Sequence, residues 1–307
     1  MVRKYLSLVF ACLVSFAAAA GNVDVRLESR MSLLNTGFKV ERLSFAVDGS
    51  FNDKFSVSFF QHLNKPIEKE DVLSATDWVY IKFTPNESWA FKFGKIPLAV
   101  GSWEFDNAPI DIYFYSDYID VYKAFQPGFS AQFNFSGGND ALEFQATKSP
   151  LAEPGRHDMF GFHLMWKGNH GPFNFIWSAN MEKYDRANRF SVCLGNKITL
   201  SRFSAYLDLI GGHYPVFDGG KMNVWSVCTR ADFRLLDWMS VGAKFSYEDQ
   251  TGFYRGFRYG GGLEFFPIKK DRDFRLHLQA YDLNADNEDK FIGSVGVKWN
   301  FHIYRKQ

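Results

Sequence analysis

Apolar and polar residues alternate along most of this chain. Over 291–303, every second residue from Phe291 onward is apolar or glycine, and most of the residues between them are polar or small. The segments that begin at Phe160 and Val241 alternate in the same way. Successive side chains of a β-strand point to opposite faces, so a pattern with a period of two residues predicts strands.

The number and length of these segments favour a barrel that crosses a membrane. A strand tilted by about 45° needs roughly 9–11 residues to cross the hydrocarbon core of a bilayer, whereas strands of soluble proteins average about 5–6 residues. The segments are about ten residues long, and about sixteen of them begin near residues 23, 38, 54, 76, 88, 128, 140, 158, 172, 189, 202, 222, 238, 257, 273 and 290. The pattern therefore predicts an all-β fold, a transmembrane antiparallel β-barrel of about 16 strands.

The links between the predicted strands also follow a rule. Short polar turns follow even-numbered strands, as at 85–87 and 137–139, and longer links follow seven of the eight odd-numbered strands. Outer-membrane barrels have short turns on the periplasmic side and longer loops outside, so this parity supports the strand count. The longer links are predicted at 63–74, 97–127, 150–157, 183–188, 213–221, 249–256 and 284–289.

Residues 1–20 are typical of a cleaved signal peptide. Two basic residues precede a mostly apolar run over 5–16, and four alanines at 17–20 offer a cleavage site. We therefore expect a barrel domain over 21–307 that is exported to the bacterial outer membrane and is in contact with its lipid. After residue 21, no apolar run reaches the roughly 18 residues of a helical membrane span.

The composition narrows the function. The chain has 35 basic and 34 acidic residues, which argues against a nucleic-acid partner, and its 18% aromatic content favours strands. Cys193 and Cys228 lie far apart and lack the spacing of zinc ligands. The sequence contains no nucleophile elbow, phosphate-binding loop or metalloprotease motif. We therefore expect no cofactor, no metal site and no enzymatic activity.

The link at 97–127 is the longest that the pattern predicts, at about thirty residues. A link of that length in a compact domain is usually functional. Its aromatic residues are expected to pack on the barrel wall and its carboxylates to face water, so we expect it to fold into the lumen and narrow the pore. Rings of charge at a constriction select ions by sign. An ordinary extracellular loop is the alternative. The predicted constriction residues are Glu104, Asp106, Asp111, Asp117 and Asp120.

The sequence around this link resembles the phosphate-selective porin (porin O and P) family, in the form common in Bacteroidetes-type bacteria. Four runs carry the resemblance: FGKIP at 93–97, GSWEFD at 101–106, PIDIY at 109–113 and YSD at 115–117. The resemblance implies a sixteen-stranded channel, a homotrimer, whose third extracellular loop folds inward. It implies no particular solute, since the family name covers channels of varied preference. The motif residues are Gly94, Lys95, Pro97, Trp103, Glu104, Pro109 and Tyr113.

The alternation also assigns basic residues to the lumen wall. A lysine or arginine that faced lipid at the midplane would cost roughly 2–4 kcal/mol, so charged strand residues are expected inside. An acidic loop opposite a basic wall would create a transverse field across the constriction. Alternatively, these charges neutralise one another in networks on the wall. The predicted wall residues are Arg26, Arg30, Lys82, Lys92, Arg230, Arg234, Lys244, Arg258, Arg275 and Lys298.

These features together predict an outer-membrane porin, a water-filled channel for the passive diffusion of small hydrophilic solutes or ions. One alternative is a soluble secreted β-sandwich that binds glycans through its aromatic residues. Another is a structural or adhesin barrel that its own loop plugs. The preference between anions and cations stays open, because the predicted wall and loop carry opposite signs.

Overall fold

The computed structural model of this chain describes residues 22–34, 37–67, 73–120, 123–151, 159–184, 187–215, 221–251, 254–268, 273–282 and 291–305. The predicted signal peptide at 1–20 lies outside these residues.

Strands account for most of the described residues. Their bounds are β1 (Asn22–Leu34), β2 (Gly37–Ser50), β3 (Phe55–His62), β4 (Thr76–Asn86), β5 (Trp89–Pro97), β6 (Phe125–Phe135), β7 (Asp140–Lys148), β8 (Phe160–His170), β9 (Phe173–Tyr184), β10 (Ala187–Thr199), β11 (Phe203–Pro215), β12 (Lys221–Leu236), β13 (Met239–Gln250), β14 (Tyr254–Phe265), β15 (Phe274–Asp282) and β16 (Phe291–Arg305). Two short helices, α1 (Trp103–Asp106) and α2 (Asp117–Asp120), follow β5, with a turn of 3₁₀-helix at Pro109–Asp111 between them. A second 3₁₀ turn, Ser136–Gly138, joins β6 to β7.

The sixteen strands form one closed antiparallel ring. Each strand pairs with the next along the chain, and β1 pairs with β16 from Asn22 opposite Arg305 to Leu33 opposite Gly293. The predicted all-β fold and 16-strand barrel are therefore confirmed. A β-sandwich would need two sheets packed face to face, so the soluble alternative is not supported.

The two faces of each strand differ in polarity. In β8, Phe160, Phe162 and Leu164 point outward and are exposed, while His163 points inward and is buried. Elsewhere the same alternation leaves Phe93 72% exposed on the outside. Inside the ring, charged residues such as Glu182 and Arg189 are completely buried. An apolar exterior around a polar interior is the arrangement of a barrel that faces lipid.

Twelve of the sixteen strands are longer than the sequence predicts. β12 has 16 residues and β16 has 15, against an expected length of about ten. Pairing continues beyond the alternating apolar stretch because it gives hydrogen-bond partners to backbone N–H and C=O groups at the strand ends. The links after β9 and β13 shrink to 185–186 and 251–253, so the predicted parity of link lengths is wrong at these two positions. The link after β11 shortens to 216–220. Long links remain at 63–75, 98–124, 149–159 and 283–290.

None of the helices within the described ranges has the length and apolarity needed to cross a membrane. In the same residues, no three His, Cys, Asp or Glu side chains come together as metal ligands would.

Candidate functional site

The chain between β5 and β6 is tied to most of the barrel wall. Residues 98–120, here called the crossing segment, form hydrogen bonds or ion pairs with inward-facing side chains of β1 and of strands from β7 to β16. Contacts with strands that stand on opposite sides of a ring place this segment inside it.

The main chain of the segment lies directly against the wall at Gly101. The Gly101 N–H donates to Ser178 Oγ on β9 at 2.7 Å. A Cβ atom at this position would lie 2.4 Å from the Ser178 backbone nitrogen and 2.9 Å from the Cys193 carbonyl oxygen. Only glycine allows the main chain to come this close to β9 and β10.

Asp208 on β11 fixes the start of α1. Its carboxylate accepts hydrogen bonds from Ser102 Oγ at 2.8 Å and from the backbone N–H groups of Trp103 and Glu104, both at 2.9 Å. The first turn of a helix has N–H groups without partners inside the helix, and this carboxylate satisfies two of them.

Glu104 is held deep inside the barrel. Its carboxylate lies 2.5 Å from Lys244 Nζ, and both side chains are completely buried. It also accepts hydrogen bonds from the Ser116 N–H at 2.8 Å and from Ser116 Oγ at 2.6 Å. The expectation that this carboxylate faces water is therefore wrong. A buried carboxylate needs a cation and hydrogen-bond donors close to it, and Glu104 has both.

Asp111 and Asp106 also have cations close to them. Asp111 lies 2.5 Å from Arg275 and 2.9 Å from Lys298. Burial alone would raise the pKa of Asp111, but the charges of Arg275 and Lys298 outweigh it and hold that pKa well below its usual range. Asp106 pairs with Lys167 at 2.7 Å, with both side chains more than a third exposed.

Several wall cations donate to carbonyl oxygens of the segment. Arg30 donates to Ile112 at 2.9 Å and also to Ile110. The remaining donors are Arg230 to Asp111, Lys244 to Phe114 and Arg258 to Tyr115. Six of the predicted wall residues, Arg30, Arg230, Lys244, Arg258, Arg275 and Lys298, thus bind the segment directly. Lys244, Arg275 and Lys298 form ion pairs with carboxylates of the segment, so these opposed charges neutralise one another between wall and segment and not in a network on the wall alone.

The other four predicted wall cations lie elsewhere in the lumen. Arg26 pairs with Glu28 at 2.9 Å. Lys82 and Lys92 are directly opposite each other on β4 and β5, and Lys92 donates to Glu143 at 3.1 Å. Arg234 is half-buried near the end of β12.

The motif residues before the segment shape the end of β5. Gly94 has φ +135°, and a Cβ atom there would lie 2.3 Å from the Val79 carbonyl oxygen, so a larger residue would not fit. Lys95 Nζ donates to the carbonyl oxygens of Leu73 and Thr76 at 2.8 and 2.6 Å. Pro97 is the last residue of β5.

The motif residues within the segment pack against the wall. Trp103 contacts the buried cluster that contains Met165, and Lys197 lies 4.7 Å from its ring centroid. Pro109 begins the 3₁₀ turn. Tyr113 is almost completely buried, and the Arg230 guanidinium lies 4.2 Å from its ring centroid.

Two predicted constriction residues, Asp117 and Asp120, belong to α2, but their side chains lie outside what the structure describes. Conversely, Ser102, Ser116 and Asp208 hold the segment although the sequence argument gave them no role there. Of these three residues, the sequence pattern indicated only Asp208, because it occupies an inward-facing position in an alternating strand.

Residues 15–199, more than half of the chain, match the sequence pattern of the family described as phosphate-selective porin O and P. The chain belongs to this family. The resemblance seen in the motifs at 93–117 is thereby confirmed. Family membership makes this porin an outer-membrane channel for small solutes and points away from enzymatic catalysis.

Solved porin structures share the fold of this porin. An OmpF of Salmonella typhi, solved with daunomycin, superimposes with a TM-score of 0.64 and 10% identity, covering 92% of this chain and 98% of its own. An in-vitro folded OmpT of Vibrio cholerae in trimer form gives 0.62 and 10%, covering 91% and 98%. An anion-selective porin of Comamonas acidovorans gives 0.60 and 11%, covering 91% and 98%. At these identities the likeness concerns the fold. No curated protein matches this porin in sequence.

Proposed function

We propose that this porin lets small hydrophilic solutes and ions diffuse passively across the outer membrane, and that the crossing segment forms the narrowest part of the passage. The observation that carries the proposal is open space on both sides of the segment within a polar interior. One cavity of about 270 Å³ lies between residues 109–115 and the wall of β1, β2, β14 and β15. A second of about 270 Å³ lies beside Trp103 and Asp106, near the 136–139 turn.

The position of the segment suggests a route for the solute. Its hydrogen bonds and ion pairs described above run to β1 and to the strands from β7 to β16, so it leans on that part of the wall. We propose that the passage runs along the inward faces of β2 to β6, where Tyr80, Lys82, Lys92 and Gln132 point into the lumen. On this proposal the passage has the segment on one side and this wall on the other.

We propose that three copies of the chain assemble as a homotrimer. The solved OmpT of Vibrio cholerae is described in a trimer form, and its fold covers 91% of this chain. Light scattering of the protein in detergent measures the assembly directly, and a mass of one chain would contradict the proposal.

We also propose that residues 1–20 are removed during export. N-terminal sequencing of protein from outer membranes tests this, and a mature chain that still begins at Met1 would overturn it. The longer links of the barrel would then face the outside of the cell, as in barrels of this class.

Planar-bilayer recording of the refolded protein tests the channel. We expect stepwise currents that rise linearly with voltage, and boiled protein serves as the control because it lacks the closed ring. A protein that migrates faster before boiling but gives no current would be a plugged barrel, and the channel proposal would be wrong.

A further inference from the structure

Five amide side chains line the second cavity. This cavity lies between the crossing segment at Trp103 and the strands β6 to β9, beside the 136–139 turn. We call it the amide recess, and its five amides are Gln132, Asn134, Asn139, Asn169 and Asn174. Its volume of about 270 Å³ is at the small end of ligand pockets, which suits a solute of one ring.

Strand pairing brings several of these amides to one face of the wall. Asn169 on β8 pairs directly with Asn174 on β9. Residues two apart in a strand share a face, and Lys167, two residues before Asn169, reaches into the lumen to bind Asp106 of the crossing segment. Asn139 and Asn169 are exposed and Asn174 is half-buried, so a solute in the lumen can reach their amide groups.

The other two amides are held in a fixed orientation. Gln132 donates from Nε2 to Asn134 Oδ1 at 2.7 Å, and Asn134 donates from Nδ2 to the Glu87 carbonyl oxygen at 2.9 Å. These bonds do not use the side-chain oxygen of Gln132, which stays on the inward face of β6 as an acceptor. Groups that are already ordered lose little conformational entropy when a solute binds.

The charged side chains that the structure describes in this lining are Asp106, Asp140 and Lys167, and each has a partner. Lys167 pairs with Asp106 at 2.7 Å. Asp140 accepts a hydrogen bond from Trp166 Nε1 at 3.1 Å and lies 3.3 Å from His170 Nε2. A charged solute therefore gains little from the recess, whereas a neutral one meets no unpaired charge.

Trp103 and Ile176 provide the apolar part of the lining. Trp103 is half-buried and packs against the cluster formed by Ala99, Met165 and Ile176. Pockets for small molecules commonly combine such an apolar surface with a few polar groups that orient the ligand. The recess thus offers one aromatic ring and several amides within the same small volume.

We propose that the amide recess binds a neutral ring that carries several hydroxyl groups, such as a monosaccharide, beside the crossing segment. A hydroxyl both donates and accepts, and a side-chain amide offers donors and an acceptor, so the two groups complement each other. The C–H groups of the ring can pack on Trp103. Such bonds are individually weak, so the solute can also leave, as conduction requires. The inference rests on the proposed channel function and adds a class of solute to it.

Current block in planar bilayers tests the proposal. The full protein is recorded in potassium chloride with glucose, glucuronate or triethylene glycol on both sides, and each current is corrected for the conductivity of the bulk solution. We expect glucose to halve the current at a concentration at least about fivefold lower than either of the other two. Triethylene glycol lacks the ring and most of the hydroxyls, and glucuronate adds a charge. Block by either of them at the same concentration as glucose would overturn the proposal.

Two variants locate the site. Asn174→Ala removes one amide, so the half-blocking glucose concentration should rise about fivefold. Trp103→Leu removes the ring, so that concentration should rise as well. Asn223→Ala is the matched control, because Asn223 is exposed near the start of β12, at the other end of the barrel. An equal rise in Asn223→Ala would place the glucose site outside the recess.

The possible failures are distinguishable. An Asn174→Ala channel that conducts normally and is blocked by glucose like the wild type would overturn the proposal while leaving the channel function intact. If Asn174→Ala does not fold, as judged by heat-modifiable migration, Asn169→Ala decides, and an unchanged block there overturns the proposal. Wild-type protein without current steps would instead contradict the channel function.

Discussion

Lys82 and Lys92 lie directly opposite each other on β4 and β5, on the part of the wall that faces the crossing segment in the proposed route. Lys92 has Glu143 as its partner at 3.1 Å, so this group of three side chains keeps an excess of one positive charge. A charge that lines a narrow aqueous passage changes the local concentration of ions of each sign. Among the lumen cations, Lys82 is therefore well placed to influence ion preference.

Replacing Lys82 by glutamine tests this role. Under a gradient of potassium chloride, we expect the reversal potential of Lys82→Gln channels to shift toward cation preference, because the passage loses one positive charge. Lys54→Gln is the matched control, since Lys54 is exposed on the turn between β2 and β3. Equal reversal potentials for Lys82→Gln and the wild type would place Lys82 away from the route.

For a single residue, the sequence predicts the direction of the side chain better than it predicts which residues the side chain contacts. Alternation correctly placed Leu164 outside and Lys244 inside the barrel. It could not show that Lys244 pairs with Glu104, because that contact joins residues 140 positions apart across the lumen. The charge of Glu104 was visible in the sequence, but its burial depended on this distant partner.

Two side chains of the barrel wall, Asp208 and Lys244, hold the crossing segment in place. Asp208 on β11 holds the start of α1, and Lys244 on β13 binds both Glu104 and the Phe114 carbonyl oxygen. Loops that are bound at several points lose their conformational freedom in advance of function. We therefore expect the segment to stay in place during conduction, so that the current through an open channel is quiet.

Replacing Lys244 tests whether its ion pair with Glu104 holds the crossing segment in place. Lys244→Met leaves Glu104 buried without its cation, a change that typically destabilises by roughly 3–5 kcal/mol. Glu104 regains water if the segment moves away from the wall at this point, so movement there would reduce the cost. We therefore expect noisier single-channel currents in this variant.

The double variant Lys244→Met with Glu104→Gln is the control for this experiment. It removes both charges, so the bilayer recording should be quieter than that of Lys244→Met alone. If the currents of Lys244→Met are as quiet as those of the wild type, the pair does not hold the segment.

The sequence predicts the number of strands better than the residues at which each strand begins and ends. All sixteen predicted strands exist, yet β9 and β10 are separated only by 185–186. The hydrophobic pattern marks the part of a strand that crosses lipid, whereas backbone pairing continues into water wherever the neighbouring strand continues.

For the whole molecule, the outer surface and the lumen of the barrel tolerate different amino-acid substitutions. Ala131 and Gln132 are neighbours in β6, but Ala131 pairs across the outer face with Phe91 and Phe144, while Gln132 lines the second cavity. The same substitution therefore meets hydrocarbon at one position and a polar interior at the next.

Arginine substitutions at these two positions test the orientation of the whole barrel. We expect Ala131→Arg to lower the free energy of unfolding in lipid vesicles by roughly 2–4 kcal/mol, the cost of an arginine near the midplane. Gln132→Arg should have a much smaller effect, because Glu143 lies directly opposite on β7 and faces the same side of the sheet. Denaturant titrations followed by tryptophan fluorescence measure both, and equal losses would contradict the outward placement of Ala131.

The pairing of β1 with β16 also constrains how the molecule is made. A sheet that lacks its final strand has two unpaired edges, and each backbone group left without a partner in hydrocarbon costs several kcal/mol. Synthesis reaches β16 last, so every earlier stage of the chain retains both edges. Insertion of the nascent sheet therefore requires either simultaneous ring closure or a helper protein that covers the edges until the two ends of the sheet join.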